Sequence, residues 1–528
     1  MSQASTAVGI DLGTSNSAVA ILDRDGAPRI LTTDAGTTTL PSAVSFGPDG
    51  AVVVGAPAVS AAMHRPELTV FGAKRLLGRR CDDPDVRRLA HTLPFEVVPA
   101  PNGDAWIKVG ERTVSPEEIA ARVLRDLRRV AEKFLGAEVT EAVITVPAWF
   151  DAGQRQATKD AAAIAGLTVR RLLSEPVAAV LGYGAHRGQN RRFVVCDLGG
   201  GTFDVAVVDV EGGVFEVLAC AGDSFLGGDD IDRAVVDQLV RELRHTHSVA
   251  LTSDPEALPR LRASAQRIKH LLSVGIAADL DLEQLTRVAS GTAVDLRRPI
   301  RRDELELWSA PVLRRLEAPC REALARAGRT RDQVDEVLLV GGMTRMPAVR
   351  RRISEIFGKE PRLVPNPDEV VAVGAAVEVA RLDGRIEGIL LLDVTARGLA
   401  VSIDDGPCDL VIAPSAVVPT REHRVLATRQ DGQRELDFDL WEGESAERAA
   451  NRHLGRYRVS GLPVAPAGEV LVLVELTVDA DGTTRVATIE LIGGQPVDVR
   501  PVTHAGLTRA EVTRLAQTLL PGVATGPG

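Results

Sequence analysis

Two runs in this sequence end an apolar strand on an aspartate and then turn through glycine to a hydroxyl: Val8-Gly9-Ile10-Asp11-Leu12-Gly13-Thr14-Ser15 and Val194-Val195-Cys196-Asp197-Leu198-Gly199-Gly200-Gly201-Thr202. A further apolar run follows each, Ala18 to Leu22 and Val205 to Val208. Glycine removes the side chain that would hold a ligand away from the main chain, so such turns offer backbone N–H donors to a polyphosphate. Thr14, Ser15 and Thr202 add hydroxyl donors. The carboxylates of Asp11, Asp197 and Asp204 would repel phosphate directly, so beside these loops they imply a divalent cation with bridging waters, magnesium before others. One such turn is weak evidence; two imply a pair of similarly built lobes with a ligand cleft between them.

Other phosphate and nucleophile chemistries find no support. The sequence lacks a Gly-x-x-x-x-Gly-Lys-Ser/Thr loop and a Gly-x-Gly-x-x-Gly turn between strand and helix. Nine histidines are dispersed, and the closest pair, His245 and His247, would point to different sides of a helix. Only six of the 62 basic residues are lysines: Lys74, Lys108, Lys133, Lys159, Lys269 and Lys359. Composition therefore pushes tolerant basic positions toward arginine, and a retained lysine draws notice. Lys74, in Phe71-Gly72-Ala73-Lys74-Arg75-Leu76, is by itself either a solvated surface lysine or a compact ammonium for holding a water or a phosphate oxygen.

The elements that must carry these residues change character along the chain. From Ala7 to about Ile386, β-branched runs alternate with amphipathic stretches such as Ser115 to Leu135, as in an α/β domain. Residues 397 to 500 instead carry short alternating runs, Leu436-Asp437-Phe438-Asp439-Leu440 and Val470 to Leu476 among them, parted by turns such as Asp404-Asp405-Gly406. That is an antiparallel β domain. Between the two lies Gly388-Ile389-Leu390-Leu391-Leu392-Asp393, too aliphatic for a free linker; it is either a linker that docks on a surface or the first strand of the β domain. After Gly506, Leu507-Thr508-Arg509-Ala510-Glu511 opens a short helix through a capping box, and Pro521-Gly522 ends it.

A chain of 528 residues needs more than one core, and 45% apolar with 25% charged residues is an ordinary globular balance. The net charge of −10 opposes a nucleic-acid partner, and basic runs such as Arg191-Arg192 and Arg350-Arg351-Arg352 are interspersed with acids. Five cysteines without a Cys-x-x-Cys pair give neither a disulfide framework nor a zinc ribbon. The start Met1-Ser2-Gln3-Ala4 has no signal-peptide character and no apolar run is long enough for a bilayer, so a cytoplasmic address without a membrane partner is expected.

The sequence resembles the DnaK-type heat-shock chaperones, the seventy-kilodalton heat-shock family, from Gly9 to about Leu507. The likeness rests on Gly9 to Ser17, Val143-Ile144-Thr145-Val146-Pro147-Ala148-Trp149-Phe150, Gln154 to Ala161, Asp197 to Asp204, Leu339-Val340-Gly341-Gly342-Met343-Thr344-Arg345-Met346-Pro347 and Asn366-Pro367-Asp368-Glu369. Sugar kinases and actins share the hairpins but not the other blocks. The resemblance implies a two-lobed, actin-like α/β ATPase domain (1–387), an aliphatic linker (388–394), a mainly antiparallel β-sandwich substrate-binding domain (395–506) and a short C-terminal helix and tail in place of a helical lid (507–528).

It also implies roles, residue by residue. Lys74 matches the lysine that positions the attacking water, Glu175 the acid that orients it, and Thr202 the hydroxyl that senses the γ-phosphate. Asp11, Asp197 and Asp204 match the acids around the metal, with Asp204 also counted as catalytic. Gly13, Thr14, Ser15, Asn16, Gly199, Gly200 and Gly201 match the phosphate loops. Lys269 and Ser273 match ribose contacts, Gly342 and Arg345 lie near the base, and Gly341 and Asp368 are further nucleotide-binding positions. Gln266 and His270 depart from the usual acid and basic residue there, which would weaken ribose contacts and make stacking pH-dependent. The implied cofactors are ATP or ADP and Mg2+, with K+ as a further candidate. Pro147 and Arg155 match the switch between domains, and the match makes Leu391, Leu392 and Asp393 a docking linker. Arg171 matches a contact of J-domain co-chaperones, and a GrpE-type exchange factor is a second expected partner. Val401, Leu426, Leu436 and Phe438 fall where the family lines its peptide pocket, while Asp404 and Arg429 replace the two uncharged residues that arch over it. The implied function is ATP-dependent binding and release of unfolded or extended polypeptides in protein folding and the stress response. The rivals are a DnaK-like switch for one dedicated partner and a sugar-kinase-type phosphotransferase, in which the β domain and aliphatic linker would have no role.

Overall fold

The computed structural model describes residues 7–520 apart from 24, 48, 185–189, 250, 252–256, 289, 492–496 and 505, with side chains 503 and 504 also outside the description. The tail beyond Leu520, with its Pro521-Gly522 stop, lies outside the described residues.

Both glycine-tipped turns are hairpins at the centre of a mixed sheet. Strands Ala7–Asp11 and Asn16–Leu22 pair antiparallel, and Glu141–Val146 runs parallel beside the first; Arg191–Leu198 and Phe203–Glu211 pair antiparallel, with Glu336–Val340 parallel beside the first. The internal echo of the sequence is thus an echo of topology. Helix Val370–Leu382 packs between the halves so closely that a Cβ on Gly9 would stand 2.2 Å from the Ala376 nitrogen, and one on Gly374 would stand 1.8 Å from the Ala178 oxygen. Glycine is required at both contacts. The expected amphipathic helix is Pro116–Leu135, opened by the Ser115 hydroxyl accepting from the Glu118 N–H and closed on Gly136 at φ 65°.

The β part has two antiparallel sheets. One orders Asp409–Ile412, Leu399–Ser402, Glu435–Glu442, Arg452–Ser460 and Asp498–His504; the other orders Thr420–Ala427, Leu471–Val478 and Thr484–Glu490. Alternate side chains of Leu471–Val478 and the Leu436, Phe438, Leu440 set point inward and form one core.

Leu390–Val394 is a strand rather than a free tether. It continues the second α/β sheet, parallel to Val214–Glu216, and its end pairs antiparallel with Val417–Val418 of the β part. Both readings left open by the sequence are therefore partly met: the segment docks, and it also receives a strand from the β part. Leu391 is buried at 7% exposure while Leu390 stays open at 51%.

The C-terminal helix Arg509–Leu519 has the expected Thr508 and Glu511 capping box. It lies on the first lobe. Leu519 is part of that lobe's core, with Leu507, Val512, Leu515 and Leu520 packed against it, and Gly506 is held by Asn102 and Asp104. Among the described residues no helix is long and apolar enough to cross a membrane.

Candidate functional site

The two hairpin tips meet. A Cβ on Gly200 would fall 1.9 Å from the Ser15 hydroxyl oxygen, and one on Gly201 would fall 2.5 Å from the Thr14 methyl carbon. Ser17 and Ser42 fix the first tip: Gly13 N–H donates to Ser17 Oγ at 3.1 Å, and Ser42 Oγ donates to the Gly13 carbonyl at 2.8 Å. Thr14 and Thr202 are buried beside the tips, Ser15 and Gly199 are half-buried, and Asn16 is exposed.

Below the tips lies a pocket of charge. Gly72, at φ 65°, turns the chain into the 3-10 segment Ala73–Arg75 and carries Lys74 inward. Glu175 opens helix Glu175–Gly182 with Pro176 behind it, a favourable place for an acid. Lys74 Nζ donates to Glu175 Oε1 at 2.5 Å, and both side chains are almost fully buried. Burial would lower the Lys74 pKa, but Glu175, Asp11 and Asp204 outweigh it and hold the ammonium above its usual value. The lysine therefore keeps its charge despite its burial.

Asp197 and Asp204 face each other across the second hairpin, and Asp11 accepts from the Thr145 hydroxyl at 3.1 Å. Burial first and Glu175 second push Asp11 and Asp204 up to about 7. Asp197 is raised well above the carboxylate range by burial, then by Glu175, Asp204 and Asp11. Acids crowded in this way fit a dication, whose charge would relieve both causes. Among the described residues no three His, Cys, Asp or Glu side chains converge closely enough to ligate an ion directly.

Among the residues expected at the ribose, Lys269 Nζ donates to Asp232 at 2.7 Å and to the Gly228 carbonyl at 3.0 Å, while the Ser273 hydroxyl donates to the Lys269 carbonyl. Arg345 pairs with Asp368 at 2.6 Å, and a Cβ on Gly342 would come within 3.0 Å of that carboxylate. Gly341, at φ 84°, lies against the Leu198 carbonyl and brings this segment to the second hairpin. His270 has its pKa lowered by burial and then by Lys269, so it is neutral at neutral pH.

The coupling candidates divide. Pro147 is buried, and Arg155 donates to the Phe150 carbonyl at 2.9 Å and to the Asp481 carbonyl of the β part at 3.0 Å. Asp393 turns its carboxylate onto the Val394 N–H, and Leu392 is half-buried. Arg171 is engaged internally: it meets Glu378, a fully buried carboxylate also held by Arg381. Val401, Leu426, Leu436 and Phe438 interlock in the β core at 1%, 4%, 1% and 0% exposure, so they fill one another's space in this conformation. Asp404 and Arg429 pair at 3.2 Å on the surface, where Arg448 also donates to the Asp404 carbonyl.

The sequence reading missed Arg75. Its guanidinium is buried, donates to the Gly201 carbonyl at 3.0 and 2.6 Å, and reaches Asp230 at 3.1 Å, tying the first lobe to the second hairpin. Its place beside Lys74 was the only signal. Trp149 and Phe150 carry no chemical signal of their own in the sequence. In the structure the Trp149 N–H donates to Asp204 Oδ1 at 3.3 Å, and Lys74 sits 5.6 Å over the Phe150 ring.

Paired glycine hairpins thus stand over a buried lysine and carboxylate cluster, with a β part reached through a strand of the same sheet. The family model described as Hsp70 protein matches residues 7–519, and the chain belongs to that family. Its members are ATP-dependent chaperones, ATPases that bind ATP or ADP with Mg2+ and act on unfolded polypeptides together with co-chaperones.

Proposed function

We propose that this chain is a DnaK-type, nucleotide-gated binder of unfolded or extended polypeptide segments that works in the cytoplasm. Its working parts are an actin-like ATPase domain (1–387), a linker (388–394), a β-rich substrate-binding domain (395–506) and a short C-terminal helix and tail (507–528). Lys74 holds the attacking water, Glu175 orients it, and the Thr202 hydroxyl donates to the γ-phosphate as charge develops there. Such catalysis is positioning and charge neutralisation rather than covalent chemistry. A magnesium ion beside Asp11, Asp197 and Asp204 would supply the charge neutralisation, with K+ as a further candidate ion. Lys269, Ser273, Gly342, Arg345 and Asp368 hold the adenosine.

The observation that carries this reading is the linker strand. Leu390–Val394 extends the sheet whose central hairpin bears Gly199 to Asp204, so linker docking and the phosphate loop share one rigid element. ATP docks the two parts, and hydrolysis releases them; by linkage, a peptide that prefers one state shifts nucleotide affinity in turn. J-domain and GrpE-type partners fit this cycle, although the engagement of Arg171 by Glu378 removes one expected J-domain contact from free reach. The test is single-turnover ATP hydrolysis with and without a short apolar peptide. A rate raised by peptide supports general clients; ATP-independent protease sensitivity of the β part would overturn the gating.

A second reading, a switch for one dedicated protein partner, is favoured by the filled apolar positions and the ion-paired rim at Asp404 and Arg429. Under it, random peptides leave the ATPase rate unchanged.

A further inference from the structure

Four residues after Pro147 alternate between the charge cluster and the β part. The Phe150 ring lies under Lys74, the Phe150 carbonyl accepts from Arg155, and Asp151 pairs with Arg452 of the β part. Trp149 does both at once. Its N–H donates to Asp204, and the absence of a side chain at Gly222 makes room for it: a Cβ there would stand 3.2 Å from Trp149 Cβ and 3.4 Å from Asp204 Oδ1.

Its ring faces the other way. Arg397, three residues beyond the linker strand, places its guanidinium carbon 4.3 Å from the ring centroid, and Arg326 of helix Glu317–Arg326 places its own at 5.6 Å. Two cations at one ring would repel, so each needs a counter-charge. Arg326 meets Glu444 at 3.2 Å and donates to the Ala396 carbonyl at 2.8 Å, which fixes the peptide that carries Arg397. Glu442 is buried, and the Arg397 charge favours its carboxylate. An indole attracts guanidinium through its quadrupole, most strongly when water is partly excluded, and Trp149 is only half exposed.

We propose that Trp149 is a positioning residue that couples the place of the Asp204 carboxylate to docking of the β part, through the cation–π contact of its ring with Arg397. The contact exists only while the β part is docked, because one partner belongs to each part. Undocking removes Arg397 from the ring and frees the segment whose N–H restrains Asp204. This rests on the proposed nucleotide site and names how that site reads the β part.

The test uses the full chain. Tryptophans occur at 106, 149, 308 and 441, so replacing Trp106, Trp308 and Trp441 with Phe leaves Trp149 as the reporter. Acrylamide should quench it less with ATP bound than with ADP, and Arg397→Ala should abolish the difference. Independently of those three replacements, Trp149→Leu and Arg397→Ala should each change the single-turnover rate by roughly three- to fivefold. The double variant should behave like either single one, and Trp149→Phe should largely restore the rate. Equal quenching in both nucleotides, or single-variant effects that multiply, overturns the coupling. Thr202→Ala separates the two levels: hydrolysis at the wild-type rate there would remove the nucleotide site itself, whereas lost hydrolysis with a multiplicative Trp149 and Arg397 cycle removes only the inference.

Discussion

Lys74 and Glu175 meet at 2.5 Å with side chains 6% and 8% exposed, whereas Arg429 and Asp404 meet at 3.2 Å with side chains 56% and 64% exposed. One pair lies beneath the two glycine hairpins and the other on the surface of the β part. Burial separates them. In the cleft each charge is stripped of water and depends on its partner and on Asp11, Asp197 and Asp204, so removing one group unbalances all of them. At the rim each charge keeps most of its water, and salt screens what is left. The same pairing of a cation with a carboxylate therefore forms a determinate contact in one place and a tunable one in the other.

The most drastic way to break this contrast is Lys74→Ala. It removes the ammonium proposed to hold the attacking water and leaves Glu175 buried without its cation, so single-turnover hydrolysis should fall about 10²- to 10³-fold while ATP still binds. Glu175→Ala and Thr202→Ala should also bind ATP and lose most hydrolysis. Adding Glu175→Gln to Lys74→Ala should recover folding stability, read by urea unfolding, without recovering turnover. Recovery of both would mean that the pair is a stabilising contact and no more.

The linker gives the next largest effect. Leu391 is buried and Leu390 is not, so Leu391→Asp should cost docking about 3 kcal/mol and erase the ATP dependence of protease cleavage in the β part, with basal hydrolysis still measurable. Leu390→Asp, at an exposed position, should do little. Equal behaviour of the two variants would show that the strand pairing alone, not the buried leucine, holds the parts together.

Local signals made much of this legible in the sequence. The hairpins, the alternation of the β strands and the capping box at Thr508 are written within a few residues each, and the structure has all three; the aliphatic run before Asp393 is there a strand. Partners far apart in the chain were not legible. Arg75 reaches Gly201 and Asp230, Arg171 is taken by Glu378, and the C-terminal helix settles on the first lobe; each depends on surfaces brought together only by folding. The peptide-pocket positions were placed by resemblance, but their mutual packing follows from a core that only the assembled sheets define.

Burial without a catalytic site offers a control. Glu117, 4% exposed in helix Pro116–Leu135, has its pKa raised from 4.5 to about 7, chiefly by burial. Such a carboxyl keeps its proton longer in the fold than in the unfolded chain. This contribution to stability is therefore fully present below pH 4.5 and is lost progressively as pH rises to about 7, by an amount on the order of 3 kcal/mol. Glu117→Gln should remove that loss. The variant should gain on the wild type in urea melts at pH 8 relative to pH 4, with ATPase activity retained. A constant difference across that range would mean that the site admits water and that burial there is shallower than the static structure.

The smallest effect concerns the rim, where peptide release is read most directly. Asp404 holds φ at 50°, a conformation that already strains a non-glycine residue, so replacing it would mix backbone relief with lost charge. Arg429→Ala is the cleaner change. An exposed pair contributes about 0–1 kcal/mol, so the dissociation rate of a fluorescent apolar peptide from the ADP-bound protein should rise by no more than about fivefold. The change should appear in release rather than association, since related complexes differ mainly there. At about 1 M salt the screening length falls to roughly 3 Å, and wild type should then release peptide almost as fast as the variant. Slow dissociation, indifferent both to salt and to Arg429, would mean that the ion pair does not gate the pocket. No detectable peptide binding in either protein would instead favour a β part committed to a single folded partner, with the packed Val401, Leu426, Leu436 and Phe438 as core alone.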